Sequence, residues 1–390
     1  MLFKLYLCLI FMKNDIIFIS TCDWNGLWYQ RQHLACQFAA HGHRVFYINR
    51  TLQRWPTLNH LRIRLLANHN QISEIELPSN IHTITPVVGI PVKEFRFINR
   101  LLLKRTIRSL HVHKPILISY LPTYNALDCI DLIKPELVVY VNEHNYSAMD
   151  VIPDLLKSEK KLVESADLIF ADSEFNVQRL EDISHGRTIH RSLPGVYFDL
   201  FNKAKCFKNR SNSKILFYFG LIAPYLDINM YNQLSQKYDV IFMGKVSPGM
   251  KKNISARIKI LNPVFNKTLP DHLELADVFA LFYKQDDYIN GVIPAKIFEC
   301  LATQKPVIVT GLQEMERFNH ILYNIKNSYE VAQQVIENLD KTETIEKINE
   351  RKKIATNADW KNRYKHFSNI IFSTLKSKTE PNSQNLAFRN

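Results

Sequence analysis

Lys296 and Glu299 stand three residues apart in "NGVIPAKIFECLATQKPVIV", residues 290 to 309. Pro294 suits the first turn of a helix, where its missing N–H costs no hydrogen bond, so a helix is predicted over 294–303. Two residues three apart share one helix face, about 4.5 Å apart along the axis. A nucleoside diphosphate matches that arrangement. Its phosphates would sit at the helix start, where amides, dipole and the lysine favour negative charge, while a carboxylate one turn on accepts from both ribose hydroxyls. The competing reading is an ordinary exposed ion pair, worth about 0.3–0.5 kcal/mol.

Such a helix needs a scaffold, and the chain supplies two. From Asp15 onward, short apolar runs alternate with amphipathic segments, the pattern of a parallel sheet with helices on both faces. Expected strands are 15–20, 44–49, 81–87, 115–120, 137–142 and 167–173, and "YQRQHLACQFAAHG" reads as a helix ending at Gly42. A polar, basic stretch at 202–213 reads as a linker. The alternation then restarts, with strands expected at 214–220, 238–244, 257–261, 277–283 and 306–311. The predicted fold is α/β, two doubly wound, Rossmann-like parallel-sheet domains facing a cleft at the carboxyl ends of their strands. Domains are expected at 1–201 and 214–355, with C-terminal helices over 356–375 and a loose tail over 376–390.

The 390 residues carry 50 Lys and Arg against 37 Asp and Glu, a formal charge of +13, which suits an anionic partner. Nucleic acid is not expected, because stacking aromatics are not interleaved with the cations in any recognisable module. Cysteines 8, 22, 36, 129, 206 and 300 form no CxxC pair, so neither zinc ribbon nor disulfide framework is indicated, and a cytoplasmic location is expected. No GxGxxG follows the first strand, and P-loop, DxD, HExxH and GxSxG motifs are absent. The pairs His41/His43 and His111/His113 read as surface histidines, and no metal is expected. The apolar opening run is cut by Lys4 and Lys13, short of the ~20 residues a span needs. Met12 competes with Met1 as the start.

"PAKIFECLATQKPVIV" resembles the donor-binding helix of the group 1 type GT-B glycosyltransferases, with its "EALA…GKPVI" pattern. "DWNGLWYQRQHLACQFAAHGHRVFYIN" looks like that family's opening strand, loop and helix. "VVYVNEHNYS" with "ESADLIFADSE" is similar to the stretch that ends its N-terminal domain, "LPGVYFDLF" to its hinge, and "FYFGLIAPYLDINMYNQL" to the start of its nucleotide domain. These matches keep their order over residues 15 to 310, in the style of transferases of teichuronic acid and related surface polysaccharides. The resemblance implies a nucleotide-sugar donor, a saccharide or lipid-linked acceptor, and neither bound cofactor nor metal. It implies a donor side of Glu299, Lys296, Gly220, Lys245, Asn290, Gly291 and Val292. Three departures stand out. Gly291 occupies the place of a second glutamate found in many retaining members. The loop from Gly220 to Asp227 lacks their diphosphate-binding cation, which moves that work to Lys296 and Lys245. Gln304 replaces a helix-ending glycine, at a cost of about 1–2 kcal/mol if the left-handed conformation is kept.

Glu143 and His144 follow the strand "LVVYVN" at the end where doubly wound sheets place working groups, and they are the expected acceptor-side pair, with Lys296 completing the catalytic set. Capping and solvation are the competing roles. Trp24, Gly26 and Arg31 are candidates to line the acceptor site, or else serve packing and a turn. Arg96, Arg100, Lys104 and Arg108 recur every four residues as a basic stripe, opposite Phe95, Ile98, Leu102, Leu103 and Leu110. That stripe, with 61–69, suits an anionic membrane at the inner face of the cell. A GT-B-fold epimerase and a non-catalytic nucleotide-sugar-binding subunit remain the alternatives.

Overall fold

A computed structural model describes residues 14–26, 28–51, 78–86, 96–108, 110–148, 154–205 and 213–379. It divides into two compact units. The first takes in 1–172, 176–192 and 364–390, and the second 173–175 and 193–363. The division thus falls at 192/193, earlier than the expected 201. Residues 202–205 of the expected linker form a 3-10 turn inside the second unit. The terminal helices do not stand apart either, since the last one joins the first unit from Tyr364.

In the first unit, strands β1 (Ile16–Ile19), β2 (Val45–Ile48), β3 (Ile81–Ile84), β4 (Ile116–Ser119), β5 (Leu137–Asn142), β6 (Leu168–Ala171) and β7 (Ile189–Arg191) pair in the order β3-β2-β1-β4-β5-β6-β7. Every pairing is parallel. β1, β2, β4, β5 and β6 are buried along their whole length, as runs of Ile, Leu, Val, Phe and Tyr must be when helices cover both faces. Helices α1 (Gln30–Ala40), α2 (Arg96–Arg108), α3 (Tyr124–Ile133), α4 (Leu155–Ser165) and α5 (Glu174–Ser184) make the crossovers, although the first two residues of α5 fall in the second unit. Register runs one apolar face across the sheet, pairing Ile17 with Leu117, Leu117 with Val138 and Tyr140 with Ile169. On that face Ile17, Ile19, Phe46 and Leu117 meet Leu103 and Ile107 of α2, and further along Val138, Tyr140 and Ile169 meet Leu162 and Leu180.

The second unit repeats the plan. β8 (Ile215–Phe219), β9 (Asp239–Met243), β10 (Lys259–Leu261), β11 (Val278–Phe282), β12 (Val307–Thr310) and β13 (Tyr323–Asn324) pair in the order β10-β9-β8-β11-β12-β13, again parallel. Its helices are α6 (Phe198–Phe201), α7 (Ile228–Leu234), α8 (Leu269–Leu273), α9 (Lys296–Ala302), α10 (Tyr329–Thr342) and α11 (Ile345–Asn357), with α12 (Trp360–Thr379) closing the chain. Each sheet reverses direction beside its first strand, at β1/β4 and at β8/β11. Crevices at such switch points are where open parallel sheets bind ligands.

Sequence expectations and structure agree on the long strands and part at weak signals. The short edge strands β7 and β13 carry too few apolar residues to be read. His43 is buried, not at the surface: its ring stacks on Phe372 at 5.3 Å and its Nδ1 lies 3.2 Å from the Asn14 carbonyl. Gln304 keeps the left-handed conformation at φ 64°, and its amide donates to Asn202 Oδ1 at 2.6 Å. The face of α2 is also corrected. Asn99, Leu103 and Ile107 are buried, whereas Ile98 and Leu102 stand exposed. Arg96 and Arg100 are not part of an open stripe, because both donate to Asp128, and Arg100 also pairs with Asp131 on α3. Phe95 and 61–69 lie outside the described residues.

Candidate functional site

The helix read as 294–303 begins at Lys296, with Pro294 ahead of it accepting from the Ile297 N–H at 2.9 Å. "KIFECLA" buries Ile297, Phe298, Cys300, Leu301 and Ala302, leaving Lys296 and Glu299 as its partly exposed side chains. They form no ion pair with each other. Lys296 Nζ donates to Tyr218 Oη at 2.8 Å and lies 4.2 Å from the centre of that ring, and no described carboxylate pairs with it. Burial therefore lowers its pKa to about 8. Glu299 accepts from Asn266 Nδ2 at 3.4 Å, and burial raises its pKa to about 7, with Lys296 opposing. A half-buried cation with a tyrosine in place of a counter-ion is a place for an anion.

Glycines at the ends of β8 and β9 make the room. Gly220 has φ 117°, and a Cβ there would lie 2.5 Å from Lys296 Nζ. Gly244 has φ 148°, and its Cβ would lie 1.9 Å from the Gly220 carbonyl oxygen. Gly244→Ala should therefore lower unfolding free energy by about 3 kcal/mol or more, seen as a drop in denaturation midpoint at unchanged slope. Lys245 is exposed, with its carbonyl accepting from the Ile222 N–H at 2.9 Å, so Lys296 is the cation turned toward Gly220. Asn290, Gly291 and Val292 lie in the turn before α9, where Asn290 Nδ2 is 3.5 Å from Asp287 Oδ1 and the Val292 N–H donates to the Ile289 carbonyl. At Gly291 a Cβ would meet the Phe175 ring at 2.8 Å, which explains the missing side chain sterically.

In the first unit the structure brings Arg31 and Glu143 together. Arg31, from α1, is buried and donates to Glu143 Oε2 at 2.9 Å, while its Nε lies 3.3 Å from Cys22 Sγ. Glu143 Oε1 makes no hydrogen bond to a described residue. Burial raises the Glu143 pKa, with the Arg31 cation opposing it. His144, ring against Tyr146, is lowered to about 4 by burial and then by Arg31, so it is neutral near pH 7. Beneath them a buried network holds the end of β5: Arg179 pairs with Glu159 through two 2.7 Å contacts, and Tyr140 and Asn142 also donate to Glu159. Tyr120 Oη, buried just past β4, has no hydrogen-bond partner among the described residues. Trp24 belongs to the packing, its ring 4.9 Å from Tyr47 and its backbone N–H donating to Asn49 Oδ1 at 2.8 Å. Gly26 closes a turn onto the Asp23 carbonyl at 3.0 Å.

Sequence reasoning missed Tyr218 on β8, Tyr120 just past β4 and Asn266 in the turn before α8, none of which carries a spacing signal. The pairing of Arg31 with Glu143, 112 residues apart, is equally invisible to local patterns.

No family model matches this chain. It is 29% identical over 170 residues to the teichuronic acid biosynthesis glycosyltransferase TuaH of Bacillus subtilis (strain 168), a match covering 40% of this chain and 43% of that protein. Among solved structures, sucrose-phosphate synthase from Thermosynechococcus elongatus superposes with a TM-score of 0.71 at 14% identity, over 93% of this chain and 100% of that one. HepE of Anabaena, solved in complex with UDP-glucose, superposes with a TM-score of 0.65 at 13% identity, over 92% and 99%. With its two parallel sheets of matching strand order and these neighbours, the chain has the GT-B glycosyltransferase fold, and over less than half its length its sequence is similar to a teichuronic acid glycosyltransferase.

Proposed function

We propose that the protein transfers a sugar from a nucleoside diphosphate sugar to a saccharide or lipid-linked saccharide acceptor, in the assembly of a surface polysaccharide. The observation that carries this reading is Lys296, a cation with no described carboxylate partner, set beside Gly220 and one helical turn from Glu299. Lys296 meets the diphosphate, and its charge stabilises the leaving group as the glycosidic bond breaks, a role that needs no metal. Glu299 accepts from the ribose diol, while Asn266 steadies its carboxylate. In the first unit Glu143 takes the acceptor proton on Oε1, its other oxygen being occupied by Arg31. A thermal-shift screen of nucleoside diphosphate sugars tests the donor: a ligand at 100 times its Kd adds about 2.7 kcal/mol, and no shift from any of them would remove the reading.

Donor affinity should be bell-shaped in pH. Binding rises as Glu299 ionises through about 7 and falls as Lys296 loses its proton through about 8. Glu299→Gln should abolish the acid limb and weaken binding by about 1.5–3 kcal/mol. Calorimetric titration from pH 6 to 9 checks both, and an unchanged acid limb would clear Glu299 of the role.

The packing of Gly291 against Phe175 favours a second reading, a subunit that binds the donor without turning it over, since no acidic side chain fits there. Donor binding without hydrolysis or transfer on any acceptor would select it.

A further inference from the structure

Helix α2, "RFINRLLLKRTIR", is packed along one seam and open along the other. Asn99, Leu103 and Ile107 go inward, and Arg96 and Arg100 beside them are held by Asp128 and Asp131. The outward face begins with Phe97, Ile98, Leu101 and Leu102, which are 71%, 48%, 52% and 38% exposed. Four of the eleven large hydrophobic side chains that stand exposed among the described residues thus fall within six consecutive positions. The same face ends in Lys104, Arg105 and Arg108, all exposed, and α2 contains no acidic residue.

Apolar side chains followed by cations, all on one side of a helix about 20 Å long, are the composition of an element that lies in a lipid interface. The cations decide the occupant. A protein groove would have to supply acids for three of them, whereas an anionic leaflet offers phosphates to all three and hydrocarbon to Phe97 and Leu101. We infer that the outward face of α2 docks the protein on an anionic membrane surface, with Phe97, Ile98, Leu101 and Leu102 entering the acyl boundary and Lys104, Arg105 and Arg108 at the headgroups. No described helix is long and apolar enough to cross a membrane, so this contact is shallow and reversible. It goes beyond the donor chemistry and stands without it, because docking is read with no nucleotide present.

The test is co-sedimentation of the full chain with phosphatidylcholine vesicles, with and without phosphatidylglycerol, at low and high salt. Binding is expected only with phosphatidylglycerol, weakening as salt rises. Lys104→Glu/Arg105→Glu/Arg108→Glu should cut partitioning roughly 100-fold, and Phe97→Ser/Leu101→Ser by a comparable factor. Lys251→Glu/Lys252→Glu, exposed on the second unit, should bind as the parent does. The variants alter side chains that face solvent, and an unchanged circular dichroism melt confirms that each is folded. Binding indifferent to both α2 variants overturns the inference, as does equal binding to neutral vesicles. Self-association that disappears in Phe97→Ser/Leu101→Ser, without vesicle binding, would assign the face to a second copy of this chain instead.

Discussion

Lys296→Met should lower sugar transfer on the order of 100- to 1,000-fold while weakening donor binding far less. The ammonium meets full diphosphate charge in the ground state but greater charge as the bond breaks, so its removal falls mainly on turnover. Stability should change little. The contacts with Tyr218 that are lost are offset by relief of the burial that holds the pKa near 8. The sign follows: the folded protein binds fewer protons than the unfolded chain between about 8 and 10.5, so this residue makes stability rise with pH over that window, and the variant should lose that slope. Steady-state kinetics with the donor varied, in the presence of EDTA, separates the cases. Equal losses in binding and turnover would recast Lys296 as an anchor, and loss of parental transfer in EDTA would return the charge stabilisation to a metal.

Glu143→Gln should reduce transfer about 100- to 10,000-fold with donor affinity unchanged, because the amide keeps the shape and loses the base. The choice between neighbours rests on their surroundings. Burial raises the Glu143 carboxyl toward the pH of use, whereas burial and Arg31 together lower His144 to about 4, which leaves it a weak base. His144→Gln should accordingly cost much less. The pH–rate profile adds a second readout: the parent should lose activity as pH falls through the Glu143 pKa, and this limb should vanish in Glu143→Gln. The variant also converts the Arg31 ion pair into a charge–amide contact, so Arg31→Lys, which keeps the cation and loses the 2.9 Å geometry, distinguishes a lost base from a disturbed pair. Full transfer by folded Glu143→Gln would move the base elsewhere.

Much of the fold was legible because parallel strands buried on both faces must be continuous apolar runs. "IIFI", "LVVYVN" and "VFALF" announce themselves without any neighbour. The edges β3 and β10 were legible, but those at the other end of each sheet were not: "IHR" in β7 and "YN" in β13 become strands only because β6 and β12 present unpaired backbone to them. Helix α2 was misread for a related reason. Its apolar residues wrap more than one face, so periodicity alone could not say that Leu103 goes inward and Leu102 outward, or that Asp128 waits for Arg96 and Arg100.

The local sequence by itself determined the Lys296–Glu299 spacing, the glycines at the sheet ends and the positions of Glu143 and His144 after β5, since each depends on residues within a turn or two. Tertiary structure decided what those groups are. It put Tyr218 rather than a carboxylate against Lys296, Asn266 against Glu299 and Arg31 against Glu143, and it filled the space over Gly291 with Phe175. The physical reason is that a side chain's charge state depends on its desolvation and its partners. Those arrive from 78, 33 and 112 residues away in the chain, at distances that no spacing rule reaches.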